Sequence, residues 1–263
     1  MLSSIIYKLR AENAALLPII NGRLMHAVFF KILHEFSTDL EKYIHDNLNI
    51  KPFTVSFLNP IDKLKSNFGS WQVEESDNFQ WRVTALNEPI LKSVMAIPIG
   101  CKIQVGHLIL SIENITDSGI VTKEEFIAAA KSYPHFRQID FKFLSPTTFR
   151  IDNFDAPYPS PELIFSSIAD KWTQTEMPAA VDKKVIREMA SKIQLTKWQG
   201  QSDKIYFGRD RGTLAFWGEF HFNLENLSEV ERRVFLLLAK FAEYSGVGRL
   251  SAQGFGQTRV KFL

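Results

Sequence analysis

One cysteine, Cys101, stands in 263 residues. It excludes an intramolecular disulfide and a cysteine-based zinc site, and it fits a reducing compartment. Long apolar runs are also lacking. The most apolar stretches, Ser93–Cys101 and Val234–Ala239, fall far short of the ~20 residues that span a bilayer. The first thirty residues carry Lys8, Arg10, Glu12 and Arg23, so no secretory leader is expected and a cytoplasmic location is. No Gly-Lys-Ser/Thr triplet opens a helix, which excludes a Walker phosphate loop. No Gly-x-Ser-x-Gly elbow supports a serine nucleophile. Two histidines and a carboxylate nowhere show convincing metal-ligand spacing. Strong net charge is missing too. The chain carries +2, with a pI near 8.5, well short of a tail that coats nucleic acid.

What is present is core material. Hydrophobic residues make up 45%, and 22 of the residues are Phe. The length fits one large domain or two small ones. Charge is unevenly shared. Residues 1–118 hold eleven Lys and Arg against twelve Asp and Glu, and residues 119–263 hold twenty against seventeen. After Glu243 come only Arg249, Arg259 and Lys261, a basic end that hints at phosphate as readily as at ordinary solvated charge.

The patterning predicts two similar series of elements. In the first, Ser4–Ala11 alternates as a strand, and a helix opens near Pro18 and Asn21 and runs to about Phe36. A short helix covers Leu40–Asn47 behind a Thr38 or Asp39 cap, and Lys51–Leu58 reads as a strand. Phe79–Asn87 is a strand, Pro89–Ala96 a short helix, and Lys102–Glu113 a long strand or hairpin arm. Residues 114–136 read as a connector with a helix at Lys123–Ala130. In the second series, strand Gln138–Ile151 precedes helices Pro161–Trp172 and Val181–Ile193. Strands Lys204–Gly208 and Thr213–Phe222 follow, then a Ser228-capped helix and a last strand, Gly254–Leu263. Each series runs strand, helix, strand, strand, helix, strand, which is the split βαβ, or ferredoxin-like, unit. The expected class is α+β, with an N-terminal domain at 1–118, a C-terminal domain at 119–263 and a C-terminal glycine-rich loop.

That loop is the strongest local signal. Gly246, Gly248, Gly254 and Gly256 fall within eleven positions, with Arg249 among them. A dinucleotide fingerprint runs strand, loop, helix. Here the helix comes first and the strand last, so that site is excluded. Two readings stay open. Successive amides in such a loop cradle phosphate, or Gly246 caps a helix and Gly254–Gly256 forms a bulge.

A helix, a Gly-x-Gly…Gly-Phe-Gly loop and a final strand resemble the CRISPR-associated repeat-processing endoribonuclease family, within the repeat-associated mysterious protein superfamily. Tyr43-Ile44-His45-Asp46 with Lys51-Pro52-Phe53-Thr54-Val55-Ser56 looks like the family's Leu-His…Lys-x-Phe-Thr-x-Ser segment. Ser145-Pro146-Thr147-Thr148-Phe149 resembles another recurrent tract. The resemblance implies tandem ferredoxin-like domains and cleavage of CRISPR precursor RNA within its repeats, with no metal and no cofactor. The ribose 2′-hydroxyl attacks the adjacent phosphate, a step that needs a proton acceptor, a proton donor and a cation.

Members of the family commonly use His, Tyr and Lys. His45 matches the His, as general acid or base, and Lys51 the cation. The Tyr position, fifteen residues before the His, holds Phe30. His26 and His34 flank Phe30 at i, i+4 and i+8 on one helix face, and if that face looks toward the RNA, His26 or His34 is the candidate to supply what the Tyr does not. The alternative for each is a satisfied histidine on the edge of an amphipathic helix. His107, His135 and His221 read as structural, and the Asn114-Ile115-Thr116 sequon as a chance match.

RNA binding is expected from Gly246, Gly248, Arg249, Gly254 and Gly256, from Lys183, Lys184 and Arg187 on the helix that also carries Lys192, and from Arg209 and Arg211 in a turn. The expected partner is CRISPR repeat RNA, as precursor and processed guide, with other CRISPR effector subunits as further candidates and no membrane. Three other functions stay open: a noncatalytic guide-RNA-binding subunit, an enzyme on another substrate, such as a cyclic-nucleotide enzyme or a general ribonuclease, and a structural or protein-interaction module without RNA affinity.

Overall fold

The computed structural model describes residues 1–47, 50–207 and 212–263. They divide into two compact units, Met1–Ile120 with Ala252–Gly254, and Val121–Ser251 with Phe255–Leu263. Three residues of the glycine-rich loop therefore belong with the first unit.

The first unit runs β1 (Leu2–Ala11), β2 (Ala15–Pro18), α1 (Gly22–Phe36), α2 (Thr38–Asn47), β3 (Phe53–Val55), β4 (Asn59–Pro60), β5 (Lys65–Asn67), β6 (Ser70–Val73), β7 (Asn78–Ala85), α3 (Glu88–Met95), β8 (Lys102–Val105) and β9 (Leu108–Val121). Its main sheet has the order β3-β7-β1-β9-β8, with β4 also on β7. Strand β1 lies antiparallel to β7, from Ser3 opposite Ala85 to Arg10 opposite Asn78. The first strand is thus central, between the third and fourth strands of the βαββαβ series, as in a ferredoxin-like unit. Ile5, Tyr7 and Leu9 alternate into the core, where they meet Met25, Phe29 and Leu33 from α1. The Tyr7 hydroxyl donates to the Val94 carbonyl at 2.9 Å, so the buried phenol stays paired.

The second unit continues with α4 (Lys123–Lys131), β10 (Gln138–Thr147), β11 (Phe149–Ile151), β12 (Phe154–Ala156), α5 (Pro161–Gln174), α6 (Lys183–Ala190), β13 (Gln194–Tyr206), β14 (Gly212–Asn223), α7 (Glu229–Ser245) and β15 (Thr258–Phe262). Its sheet order, β13-β14-β10-β15, repeats the same arrangement. Phenylalanine builds the core: Phe141 of β10 lies 5.8 Å from Phe165 of α5, and Phe165 lies 4.6 Å from Phe235 of α7, ring centre to ring centre. These edge-on pairs add to the burial of the rings. Ser228 and Glu231 close a capping box at the start of α7.

Several expectations change. β13 begins at Gln194, not Lys204. Its residues are mostly exposed and it lies at the sheet edge, so no inward alternation marks it. Lys102–Glu113 is a hairpin turning at Gly106, and its second strand runs on to Val121 through the expected connector. His107 therefore sits in the turn rather than within a strand. β15 starts at Thr258; residues 251–253 form a 3₁₀ turn and 254–256 a tight turn in place of a bulge. The small sheet β2-β6-β5 was not expected. The extra helix of the second series is present as α6, capped by Asp182.

Candidate active site and RNA-binding surface

Helix α1 is amphipathic, and its buried stripe of Met25, Val28, Phe29 and Leu33 fixes which face His26 and Phe30 take. Asn21 precedes it without capping it. Its side chain instead accepts from the Leu58 amide at 2.8 Å and donates to the Leu58 carbonyl at 3.1 Å, tying the helix start to the chain after β3. Gly22 is required by close approach. A Cβ there would lie 1.9 Å from the Gln253 carbonyl oxygen. The segment Ala252–Gly254 is thereby held against α1.

That contact reaches His26. The ring is half-buried, and its Nδ1 lies 2.8 Å from the Ala252 carbonyl oxygen. A carbonyl only accepts, so Nδ1 carries the proton and Nε2 keeps its lone pair in the neutral ring. Burial pushes His26 below its ordinary value near 6.5. The Ala252 hydrogen bond opposes this, and positive charge at Lys51 and His45 adds to it.

Phe30 packs between the two histidines. Its ring centre is 4.7 Å from that of His26 and 5.8 Å, edge-on, from that of His45. Phe53 closes the cluster at 5.9 Å from Phe30. His45 itself is exposed near the end of α2, and its Nδ1 donates to the Asp46 carboxylate at 2.7 Å. The orientation leaves Nε2 to exchange a proton. Lys51 donates to the carbonyls of Ile44 at 2.6 Å and His45 at 3.0 Å. It stands where the end of α2 presents its partial negative charge. Burial lowers Lys51 from its ordinary value, and Asp46 partly offsets this.

His26, His45 and Lys51 are thus gathered around Phe30. His34 is not among them; its Nδ1 faces Glu41 at 3.8 Å. His221 pairs with Asp140 at 2.8 Å. Among the described residues, no cluster of three or more His, Cys, Asp or Glu side chains has the arrangement to hold a metal ion.

The loop glycines are closely packed. Gly246 caps α7 with a φ of +64°. Its amide donates to Ala242, that of Val247 to Gly256, that of Arg249 to Thr148 and that of Gly256 to Pro146. The Gly248 amide donates to the Ser167 hydroxyl. With these amides internally bonded, this conformation offers no phosphate cradle from them. At Gly256, φ is +68° and a Cβ would lie 1.9 Å from the Val247 carbonyl oxygen, so only glycine fits. Gly254 faces Phe57 with equally little room. Arg249 projects to Asp155 at 3.3 Å.

On α6, Lys183 pairs with Asp170, while Lys184 and Arg187 rim a shallow depression with Tyr158, Ser160 and Glu162. Arg209 and Arg211 lie outside the described residues. Lys171 was not anticipated. It is fully buried on α5 and donates to the carbonyls of Ser245 and Gly246 and to the Ser251 hydroxyl, at 3.0, 3.0 and 3.1 Å. Burial pushes its pKa down to about 7. Its position three residues after Ile168, on the apolar face, was the available signal. Nothing in the sequence marks the Ala252 carbonyl.

The class the structure defines is a tandem pair of ferredoxin-like units, the first of which gathers His26, His45 and Lys51. Two family models match the chain: CRISPR Cas6 N-terminal domain over residues 1–118 and CRISPR-associated endoribonuclease Cas6 over 141–258. The chain belongs to the Cas6 family. It is 23% identical over 197 residues to CRISPR-associated endoribonuclease Cas6 from Mycobacterium tuberculosis, a match covering 71% of this chain and 60% of that protein. The matched region thus spans under two thirds of the curated relative's length. The fold is that of Thermus thermophilus Cas6 (TTHB231), solved as a product complex, with TM-score 0.76, 23% identity, and 99% and 100% of the two chains covered. A Cas6-related protein from Pyrococcus furiosus is similar at TM-score 0.66 and 16% identity, covering 99% of each chain.

Proposed function

We propose that this chain is an endoribonuclease that needs no metal and cuts CRISPR precursor RNA within its repeats to release guide RNAs. The observation that carries the reading is the cluster of His26, His45 and Lys51 around Phe30, in a chain of the Cas6 family. His26 Nε2, neutral because its environment disfavours the cation, takes the proton of the ribose 2′-hydroxyl. The 2′ oxygen bonds to phosphorus as the bond from phosphorus to the 5′ oxygen breaks. His45 gives the leaving oxygen a proton from Nε2, and Lys51 stabilises the charge gathered on the phosphorane oxygens. The products are a 2′,3′-cyclic phosphate and a 5′-hydroxyl. Phe30 contributes apolar packing between the two rings, not proton transfer.

RNA partners follow from the same reading. Lys184, Arg187 and Arg249 contact phosphates, and the glycines hold the loop that presents Arg249. A second reading has one observation in its favour. Phe30 in the tyrosine position fits a guide-RNA-binding subunit that does not cleave.

The test is cleavage of the host's repeat RNA in excess EDTA by the purified chain, compared with His45→Ala. A loss of about 10²–10⁴ in single-turnover rate with binding retained supports the acid–base role. An equally active variant removes His45 from the chemistry. Tight binding without cleavage by the unaltered chain favours the noncatalytic reading.

A further inference from the structure

The hairpin of β5 and β6 turns on two residues, Phe68 and Gly69, between the paired Asn67 and Ser70. Both turn residues have positive φ, +46° and +74°. A two-residue turn of this kind takes Asn-Gly or Asp-Gly, because a side chain with a branched or bulky start is strained there. Phe is among the least suited residues for the first position. It is also 99% exposed, so no packing compensates the strain. The tip is nevertheless held in place, since the Ile19 amide donates to the Gly69 carbonyl at 3.0 Å. An aromatic ring is thus presented to solvent on a fixed, strained support.

We propose that Phe68 is a stacking platform for an unpaired base of the bound RNA, outside the catalytic cluster; the inference rests on the RNA-binding reading above. Its surroundings select this partner. Lys65 on the same hairpin and Lys63 just before it are exposed, and neither forms an ion pair among the described residues. The flanking residues Ser66, Asn67, Gly69 and Ser70 add no apolar side chain to the tip. A protein contact of hot-spot quality has an apolar setting that excludes water. A base needs only one ring face and cations near its phosphates, which this tip supplies.

The experiment compares the unaltered chain, Phe68→Asn and Phe68→Trp for binding to fluorescein-labelled host repeat RNA by anisotropy, with thermal unfolding of each. Asn suits the turn, so Phe68→Asn is expected to keep or raise the Tm while weakening RNA binding about 5- to 100-fold. Trp is expected to retain affinity. Unchanged affinity in Phe68→Asn overturns the platform and leaves a protein-contact role for the ring. A lowered Tm in Phe68→Asn also overturns it, because the ring would then be part of the packing. No binding of repeat RNA by the unaltered chain removes the parent reading and the platform with it.

Discussion

His26 and Ala252 meet through a 2.8 Å hydrogen bond that fixes which nitrogen of the histidine carries its proton. A backbone carbonyl of the glycine-rich loop thereby sets the chemistry available on α1. If Nε2 is the base, the rate should fall on the acid side only below the ordinary histidine value near 6.5, since burial lowers the ring. His26→Gln should lose about 10²–10⁴ in single-turnover rate and lose that acid limb. A pH–rate profile measured on both proteins checks this. An acid limb that persists unchanged in His26→Gln would assign it to another group.

Gly22→Ala sets two effects against each other. In a helix interior Ala is favoured over Gly by about 1 kcal/mol, and Gly22, the first residue of α1, gains less than that. Here the new Cβ would lie 1.9 Å from the Gln253 carbonyl oxygen. The contact should win, with a net loss of about 1–3 kcal/mol in urea unfolding. Single-turnover cleavage should fall with it, because the displaced segment carries the Ala252 carbonyl. A stabilised Gly22→Ala would show that propensity dominates and that the approach is loose.

The elements that face a core were legible. The 3.6-residue period of α1 and the alternation of β1 locate both in the sequence, because burial selects their residues on one face. His45 and Lys51 were legible as a motif, and their meeting follows from a short connection between α2 and β3. The long edge strand β13 was not, since residues such as Lys197, Gln199 and Gln201 face water and leave no periodic signal. The histidine that joins the cluster was left ambiguous by spacing. His26 and His34 share one helix face, and only tertiary packing sends His34 to Glu41 instead. The loop glycines were readable as a feature but not as to purpose, because whether an amide is exposed or bonded depends on distant carbonyls such as those of Thr148 and Pro146.

Arg249 offers a measurement of electrostatics. Its guanidinium is partly exposed and shared with Asp155, so an RNA phosphate must compete with that carboxylate. Arg249→Ala should weaken RNA binding by a similar factor across sequences. The slope of log affinity against log salt should become shallower by about 0.7–0.9 for the one lost phosphate contact. An unchanged slope would assign Arg249 to holding β12 through Asp155 rather than to RNA.

Lys171 makes the stability of the chain depend on alkaline pH. Its three N–H donors match three acceptors near the end of α7, yet among the described residues no carboxylate is a hydrogen-bond partner, and burial lowers it to about 7 from an ordinary 10.5. Below pH 7 both folded and unfolded chains carry the proton, and the burial penalty is present in full. Between about 7 and 10.5 the unfolded chain binds more protons than the folded one, so stability rises with pH. The gain attributable to this group is at most about 5 kcal/mol. In Lys171→Met the group is gone, and so is its slope. Urea midpoints at pH 7 and pH 9.5 should therefore diverge, the unaltered chain gaining on the variant as pH rises. Parallel behaviour of the two would mean that the three oxygens and the end of the α7 dipole hold the ammonium charged throughout.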